Sequence, residues 1–275
     1  MPPRIGILHP GQMGSAVAAS IQSGGNEVFW ASEGRSRESR GRATALALTD
    51  VVTVARMCEE CSAIVSVCPP EFADDVANQV RSLSFRGLFV DANAISPERV
   101  RRMQSGLKFV DASIIGLPPA PWIYFSGDHA AEAASYFEGG PIKPEVIQGD
   151  IGKASALKMC FAGYSKGTSA LLCSILALAD ELDVRELLER QWERMPGSPA
   201  NPAKIVDSVL PKAWRFAPEM NEIAATFEAA GLSPDFHKAA ARIYADVASA
   251  RVRAAGVETS LDTARTSARA TSDGA

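Results

Sequence analysis

Long apolar runs are scarce in this chain. The longest, around Ala170 to Ala179, is too short to span a bilayer, so no membrane segment is expected. Excess positive charge is missing too. The formal net charge is −4, which argues against a nucleic-acid-binding surface. The five cysteines are odd in number and scattered through apolar segments, so they read as reduced thiols of a cytoplasmic protein, without a disulfide framework. Cys58-Glu-Glu-Cys61 has metal-like spacing but no second pair and no neighbouring histidine, so no metal is expected. His129 and His237 have no partner pattern and read as surface residues. No charged-then-apolar leader precedes the first strand, and no internal repeat is visible. The 275 residues are 47% hydrophobic and 22% charged, the balance of a globular enzyme with room for two ordinary domains.

Strand and helix patterns alternate through the first half. Arg4–Leu8, Asn26–Ala31, Ala63–Cys68, Gly87–Asp91 and Leu107–Asp111 read as strands, with Trp122–Phe125 and Glu145–Ile147 as shorter ones. Helical patterns fall between them, at Gly11 to Gly24, Arg35 to Leu48, Glu71 to Leu83 and after Ser96-Pro97-Glu98. This is the signature of βαβ units and a parallel sheet. Near Gly149 the pattern changes. Gly152 to Leu182 contains no proline and reads as one helix of roughly 30 residues, apolar on most faces, which calls for cover by other helices or a partner subunit. Helices are expected at Val184–Arg194, Pro202–Phe216, Glu219–Ala230 and Pro234–Arg253. The fold class is α/β: a Rossmann-like, doubly wound sheet over residues 1–150, then an all-helical substrate and dimerisation domain over 151–253. The Thr/Ser/Ala/Arg-rich tail over 254–275 reads as disordered.

The organising motif is Arg4-Ile-Gly-Ile-Leu-His-Pro-Gly-Gln-Met-Gly14, a strand, a glycine turn and a helix start. Such a turn aims backbone N–H groups and the positive end of a helix dipole at a phosphate. A full dinucleotide fingerprint has three glycines. Gly11 and Gly14 match, and His9 stands in the first place. His9, Pro10, Gly11, Gln12, Met13 and Gly14 are therefore candidate cofactor residues, with His9 a loop side chain rather than a base. After the second strand, Ser32, Arg35, Ser36 and Arg37 outweigh Glu33, which favours NADP over the alternative, NAD. Ser66-Val-Cys-Pro-Pro70 and Asp91-Ala-Asn-Ala-Ile-Ser-Pro97 end neighbouring strands, which places Cys68, Pro69 and Asn93 at the cofactor, Asn93 near the nicotinamide ribose.

The ordered series Pro-Gly-Gln-Met-Gly, Cys-Pro-Pro, Asp-Ala-Asn-Ala-Ile-Ser-Pro, Asp111-Ala-Ser-Ile-Ile-Gly-Leu-Pro-Pro119 and Gly152-Lys-Ala-Ser-Ala-Leu-Lys-Met159 resembles the β-hydroxyacid dehydrogenase and 6-phosphogluconate dehydrogenase superfamily, whose relatives include imine reductases. More narrowly it resembles a bacterial 6-phosphogluconate dehydrogenase-like branch. The resemblance covers residues 4–250. It implies a homodimer of interlocked helical domains, and a general acid/base at Lys158. It also exposes departures. The superfamily's asparagine one turn after the lysine is Ala162 here; its substrate-loop serine is Ile115, and its double glycine is Gly116-Leu117. Replacement polar groups are Ser155, Ser165 and Lys166 on the same helix, and Trp214, Arg215 and Glu219 farther on, the last two equally open to a purely structural ion pair. The expected activity is hydride transfer between NADP(H) and a hydroxyl or carbonyl carbon of a small, acidic substrate. The alternatives are an imine reductase on the same scaffold and a non-catalytic NADP-binding protein.

Overall fold

The structure is a computed structural model that describes residues 2–255. Among them, eight strands form one sheet: β1 (Arg4–Ile7), β2 (Glu27–Trp30), β3 (Thr49–Asp50), β4 (Ala63–Ser66), β5 (Leu88–Asp91), β6 (Lys108–Ile115), β7 (Trp122–Ser126) and β8 (Lys143–Val146). Their order is β3-β2-β1-β4-β5-β6-β7-β8. All neighbours run parallel except β6 and β7, which pair antiparallel from Asp111↔Ser126 to Ile115↔Trp122. The doubly wound parallel sheet is thus borne out, with its one reversal at β7: only the six residues 116–121 separate β6 from β7, too few for a crossover helix.

The strands fold this way because both faces are covered. Ile5, Ile7, Val28, Trp30, Val65, Leu88 and Val90 join one buried cluster, while the alternate residues Phe29, Ile64 and Phe89 join another. The helices of this half are α1 (Gln12–Ser23), α2 (Arg37–Ala45), α3 (Val54–Glu60), α4 (Ala73–Ser82), α5 (Pro97–Met103) and α6 (Ala130–Ser135). Arg35, expected at the start of α2, lies before it, because Ser36 is the N-cap and its hydroxyl accepts from the Ser39 amide. The Cys58–Cys61 pair belongs to α3 and its C-cap. Burial pushes the thiol of Cys58 up to about 11 and that of Cys61 up to about 12, so both stay protonated.

The long helix α7 (Lys153–Glu181) matches its expected span closely, and the chain divides into two compact units within it, after Met159. The second unit continues with α8 (Arg185–Glu193), α9 (Pro202–Val209), α10 (Ala213–Ala229) and α11 (Asp235–Ala255). The sequence division between Phe216 and Glu219 is corrected here: α10 runs straight through Pro218. A proline inside a helix removes an N–H, and the packing of Met220, Ile223 and Ala224 in the core offsets that loss. Of the tail read as disordered, Ala254 and Ala255 end α11; the remainder lies outside the described residues. No helix among the described residues is long and apolar enough to cross a membrane.

Candidate functional site

The strand order reverses on either side of β1, which lies between β2 and β4. In open α/β sheets ligands collect at that point, over the carboxyl ends of the strands. The glycine turn is located there. Gly11 is the N-cap of α1, one position earlier than a helix start; its side-chain-free cap and a first turn without acidic residues leave the helix's positive end uncountered. Gly14 is buried because a Cβ there would collide with the His9 carbonyl oxygen. Pro10 accepts a hydrogen bond from the Ser15 hydroxyl (3.2 Å), Gln12 is exposed, and Met13 packs on the core.

His9 is half-buried, and both its ring nitrogens are shielded without a hydrogen-bond partner. Burial first, and the Arg35 guanidinium second, hold it well below the ordinary histidine range, so the ring is neutral. Arg35 is itself buried, and this desolvation lowers it to about 10, against a smaller opposing influence of Cys68. His9 follows β1, Arg35 follows β2 and Cys68 follows β4, so all three stand at the carboxyl ends of adjoining strands. Arg35 Nε donates to the Ala31 carbonyl (3.3 Å). Arg40, which sequence reasoning missed, ties the same loop down: its Nη2 donates to the Ser32 carbonyl at 2.7 Å, and its Nε to the Arg35 carbonyl at 3.2 Å. Ser32 is buried, its amide donating to Asp50 Oδ1 at 3.2 Å. Ser36 is occupied as a helix cap. A buried cation, an uncapped helix N-terminus and a turn with no room for a Cβ fit a dinucleotide phosphate.

Asn93 is 2% exposed, and its side chain works within the protein. Oδ1 accepts from the Cys68 amide (2.6 Å), and Nδ2 donates to Asp91 Oδ1 (2.6 Å) and Ser66 Oγ (3.2 Å). It thereby ties the β4 end, which carries Cys68 and Pro69, to the β5 end. Pro69 stays half-buried and caps a short turn by accepting from the Phe72 amide at 3.1 Å. Burial and the neighbouring Asp91 push the Cys68 thiol up, which removes it as a nucleophile.

Lys158 lies on α7, half-buried, with Nζ donating to the Ile114 carbonyl at 2.7 Å. Ile115 closes β6 opposite Trp122, and Gly116 follows at φ 112°, where a Cβ would press on Pro121. Ser155 is fully buried and gives its hydroxyl to Asp111, so it is not available to a ligand.

In the helical unit, Ala162 is fully buried. Lys166 and Glu219 form an ion pair at 2.7 Å with side chains 15% and 14% exposed. Lys166 Nζ and the Arg215 guanidinium both lie over the Phe216 ring, at 5.0 and 5.5 Å. Arg215 Nε is shielded and without a partner. Trp214 and Ser165 are half-buried, and the Ser165 carbonyl accepts from Ser169 Oγ at 2.9 Å. His237 is corrected from surface to interior: it is buried against the rings of Phe227 (4.3 Å) and Phe236 (5.2 Å), and burial lowers its pKa. Its i+10 spacing from Phe227 crosses a turn between helices, a relation sequence periodicity does not carry.

Two family models match this chain. Residues 4–95 match "NADP oxidoreductase coenzyme F420-dependent", and residues 179–247 match "Domain of unknown function (DUF1932)". An uncharacterized 28.5 kDa protein of Methanothermus fervidus is 27% identical over 190 residues, spanning 68% of this chain and 75% of its own. The solved structure of the conserved protein MTH1747, described as similar to 3-hydroxyacid dehydrogenases, is 29% identical with TM-score 0.68, covering 91% of this chain and 98% of that one. The Mycobacterium tuberculosis 3-hydroxyisobutyrate dehydrogenase shares the fold at 18% identity and TM-score 0.69, over 90% and 94% of the two chains. An imine reductase variant from Myxococcus stipitatus, solved with NAD+, shares it at 17% and 0.53, over 92% and 95%. With its glycine turn, switch-point sheet and helical second half, the chain is similar to an NADP oxidoreductase family model over residues 4–95 and shares the fold of 3-hydroxyisobutyrate dehydrogenases and imine reductases.

Proposed function

We propose that this protein is a cytoplasmic NADP(H)-dependent oxidoreductase that interconverts a hydroxyl and a carbonyl on a small acidic substrate, with Lys158 as general acid/base. The observation that carries the proposal is a half-buried lysine held 2.7 Å from a strand-end carbonyl, next to the Gly116 loop. A bound nicotinamide supplies or takes up the hydride. In reduction, the Lys158 ammonium gives its proton to the substrate oxygen as the carbonyl carbon is reduced. In oxidation the neutral amine takes the hydroxyl proton. The Ile114 carbonyl keeps the ammonium oriented for that transfer.

Arg35 on the loop after β2, and Arg40 on the α2 turn that ties this loop down, support NADP over NAD. Asp50, the nearest carboxylate bonded to this loop, is already engaged by the Ser32 and Val52 amides. In the helical unit, Arg215 beside Lys166 and Phe216 is the group proposed to hold the substrate's acid; Glu219 neutralises only one of the two cations. The buried Ala162 favours imine reduction as the second reading, because it removes a polar group from the turn after Lys158.

The partner proposed is a second copy of the chain. Phe161, Tyr164, Leu171 and Leu178 are exposed along one face of α7 at successive spacings of three, seven and seven residues. Small keto acids and cyclic imines, screened with NADPH and NADH, test the reaction. Turnover of keto acids that Lys158→Met abolishes while NADPH still binds is the expected result; unchanged turnover removes Lys158 from the mechanism, and turnover of imines alone selects the second reading.

A further inference from the structure

Asp111 stands on β6, three residues before the carbonyl that receives Lys158, yet its carboxylate faces the start of α7. Four hydrogen bonds converge on it. Oδ2 accepts from the Gly152 amide (3.0 Å), the Ser155 amide (3.0 Å) and the Ser126 hydroxyl (2.8 Å), and Oδ1 accepts from the Ser155 hydroxyl (2.7 Å). The Ser126 hydroxyl in turn accepts from the Ala154 amide at 3.1 Å. The first turn of α7 thus has its orphan N–H groups satisfied by a residue 41 positions earlier in the chain rather than by a local cap. All these groups are buried.

The same three-residue step then occurs on both elements. From Asp111 to Ile114 the strand advances roughly 10 Å. From Ser155 to Lys158 the helix advances roughly 4.5 Å. The lysine stem spans the difference and ends on the Ile114 carbonyl. Moving the α7 start relative to β6 would move the ammonium from its carbonyl.

We infer that Asp111 is a positioning residue for Lys158, pinning the first turn of α7 to β6 and so fixing where the lysine ammonium lies. The catalytic use of that ammonium rests on the function proposed above; the positioning itself does not. An asparagine at 111 would keep its carbonyl oxygen under the two amides and the Ser126 hydroxyl but replace charge-assisted bonds with weaker neutral ones, and would reverse the bond at Ser155 Oγ, which would accept from Nδ2.

Asp91 is the second half of the arrangement. It pairs in register with Asp111, is fully buried, and its Oδ2 has no hydrogen-bond partner. Burial and the Asp111 carboxylate push it up to about 7, while Asn93 and Arg99 pull the other way.

Competitive acetylation of the whole protein, read lysine by lysine by peptide mass spectrometry across a pH series, tests this without a substrate. The exposed Lys204 is the internal reference and the ion-paired Lys166 the control. In Asp111→Asn the Lys158 to Lys204 ratio is expected to rise roughly tenfold, the equivalent of one pKa unit, with Lys166 unchanged; Ser155→Ala gives a smaller rise. Asp111→Glu restores part of the difference. An unchanged Lys158 ratio in folded Asp111→Asn, or Lys158 and Lys166 rising together, overturns the inference. If Asp111→Asn does not fold, Ser155→Ala decides by the same criterion. A shifted Lys158 ratio together with full turnover by Lys158→Met sinks the acid/base reading alone.

Discussion

The two units solve the problem of buried polar groups differently. In the first unit, side chains are tied to backbone as well as to one another: Arg40 and Arg35 to carbonyls of the loop after β2, Asp111 to helix amides, Asn93 to the Cys68 amide. In the helical unit the principal buried contact is between side chains, Lys166 with Glu219, with Phe216 beneath and Arg215 beside it. Backbone-bonded groups fix geometry. Side-chain pairs are adaptable, since either partner can turn to a ligand. A fixed cofactor site and an adaptable substrate site would divide in just this way, and the comparison can be tested at several points.

The largest effect is expected at Lys158. Lys158→Met should cost about 10²–10⁴ in turnover with NADPH affinity retained, measured by steady-state kinetics and cofactor titration. The units should also respond differently to pH. Asp91 keeps its proton in the folded protein up to about 7, whereas unfolded it ionises in the ordinary carboxylate range. The folded state therefore holds the extra proton between those limits, and stability falls as pH rises toward 7, by an amount on the order of a few kcal/mol. Denaturant titrations of Asp91→Asn should show a flatter profile over that window; a profile as steep as the parent's would mean the carboxyl is not responsible.

His237 acts in the opposite sense. Burial lowers its pKa, so the unfolded state binds the proton first and stability drops as pH falls below the ordinary histidine value; His9 contributes in the same direction. His237→Phe should blunt the acid-side loss.

Cofactor choice gives the next effect. Arg35→Ser should weaken NADPH by roughly 1.5–3 kcal/mol, the range for a hydrogen bond to a charged group, and leave NADH little changed, read by fluorescence titration. Equal losses for both would break the assignment of the loop to the extra phosphate. The smallest effect is expected from a double-mutant cycle on Lys166 and Glu219. A coupling near 1 kcal/mol in the free protein that falls when substrate is added would mark an adaptable pair; a coupling unmoved by substrate would mark a structural one.

Much of the nucleotide-binding unit was legible because its signals are local. Apolar strands followed closely by glycine or proline turns announce β1 and β4, and the two-glycine turn announces α1. The two-residue β3 and the short α3 were missed, since neither is long enough to show a period. The antiparallel β7 was legible as a strand but not in direction. Pro218 suggested a break where α10 continues, because tertiary packing overrides a local penalty, while the real interruption falls at Leu210–Lys212 around Pro211. Asn93 was correctly placed at a strand end, but its three bonds depend on Ser66, Asp91 and Cys68 meeting it across two strands. Asp111 carries the clearest lesson. It stood inside a quoted motif, and nothing in its own neighbourhood announces that it caps a helix beginning 42 residues later.

The collision that excludes a Cβ at Gly14 reaches farther than the turn itself. The His9 carbonyl that blocks it belongs to the residue whose imidazole shares its burial with Arg35. A single methyl at position 14 would act as a wedge, and its displacement would be transmitted through the His9 peptide toward the Arg35 guanidinium. The glycine turn and the loop after β2 thus form one mechanical linkage, and sequence drift at either end would be constrained by the other.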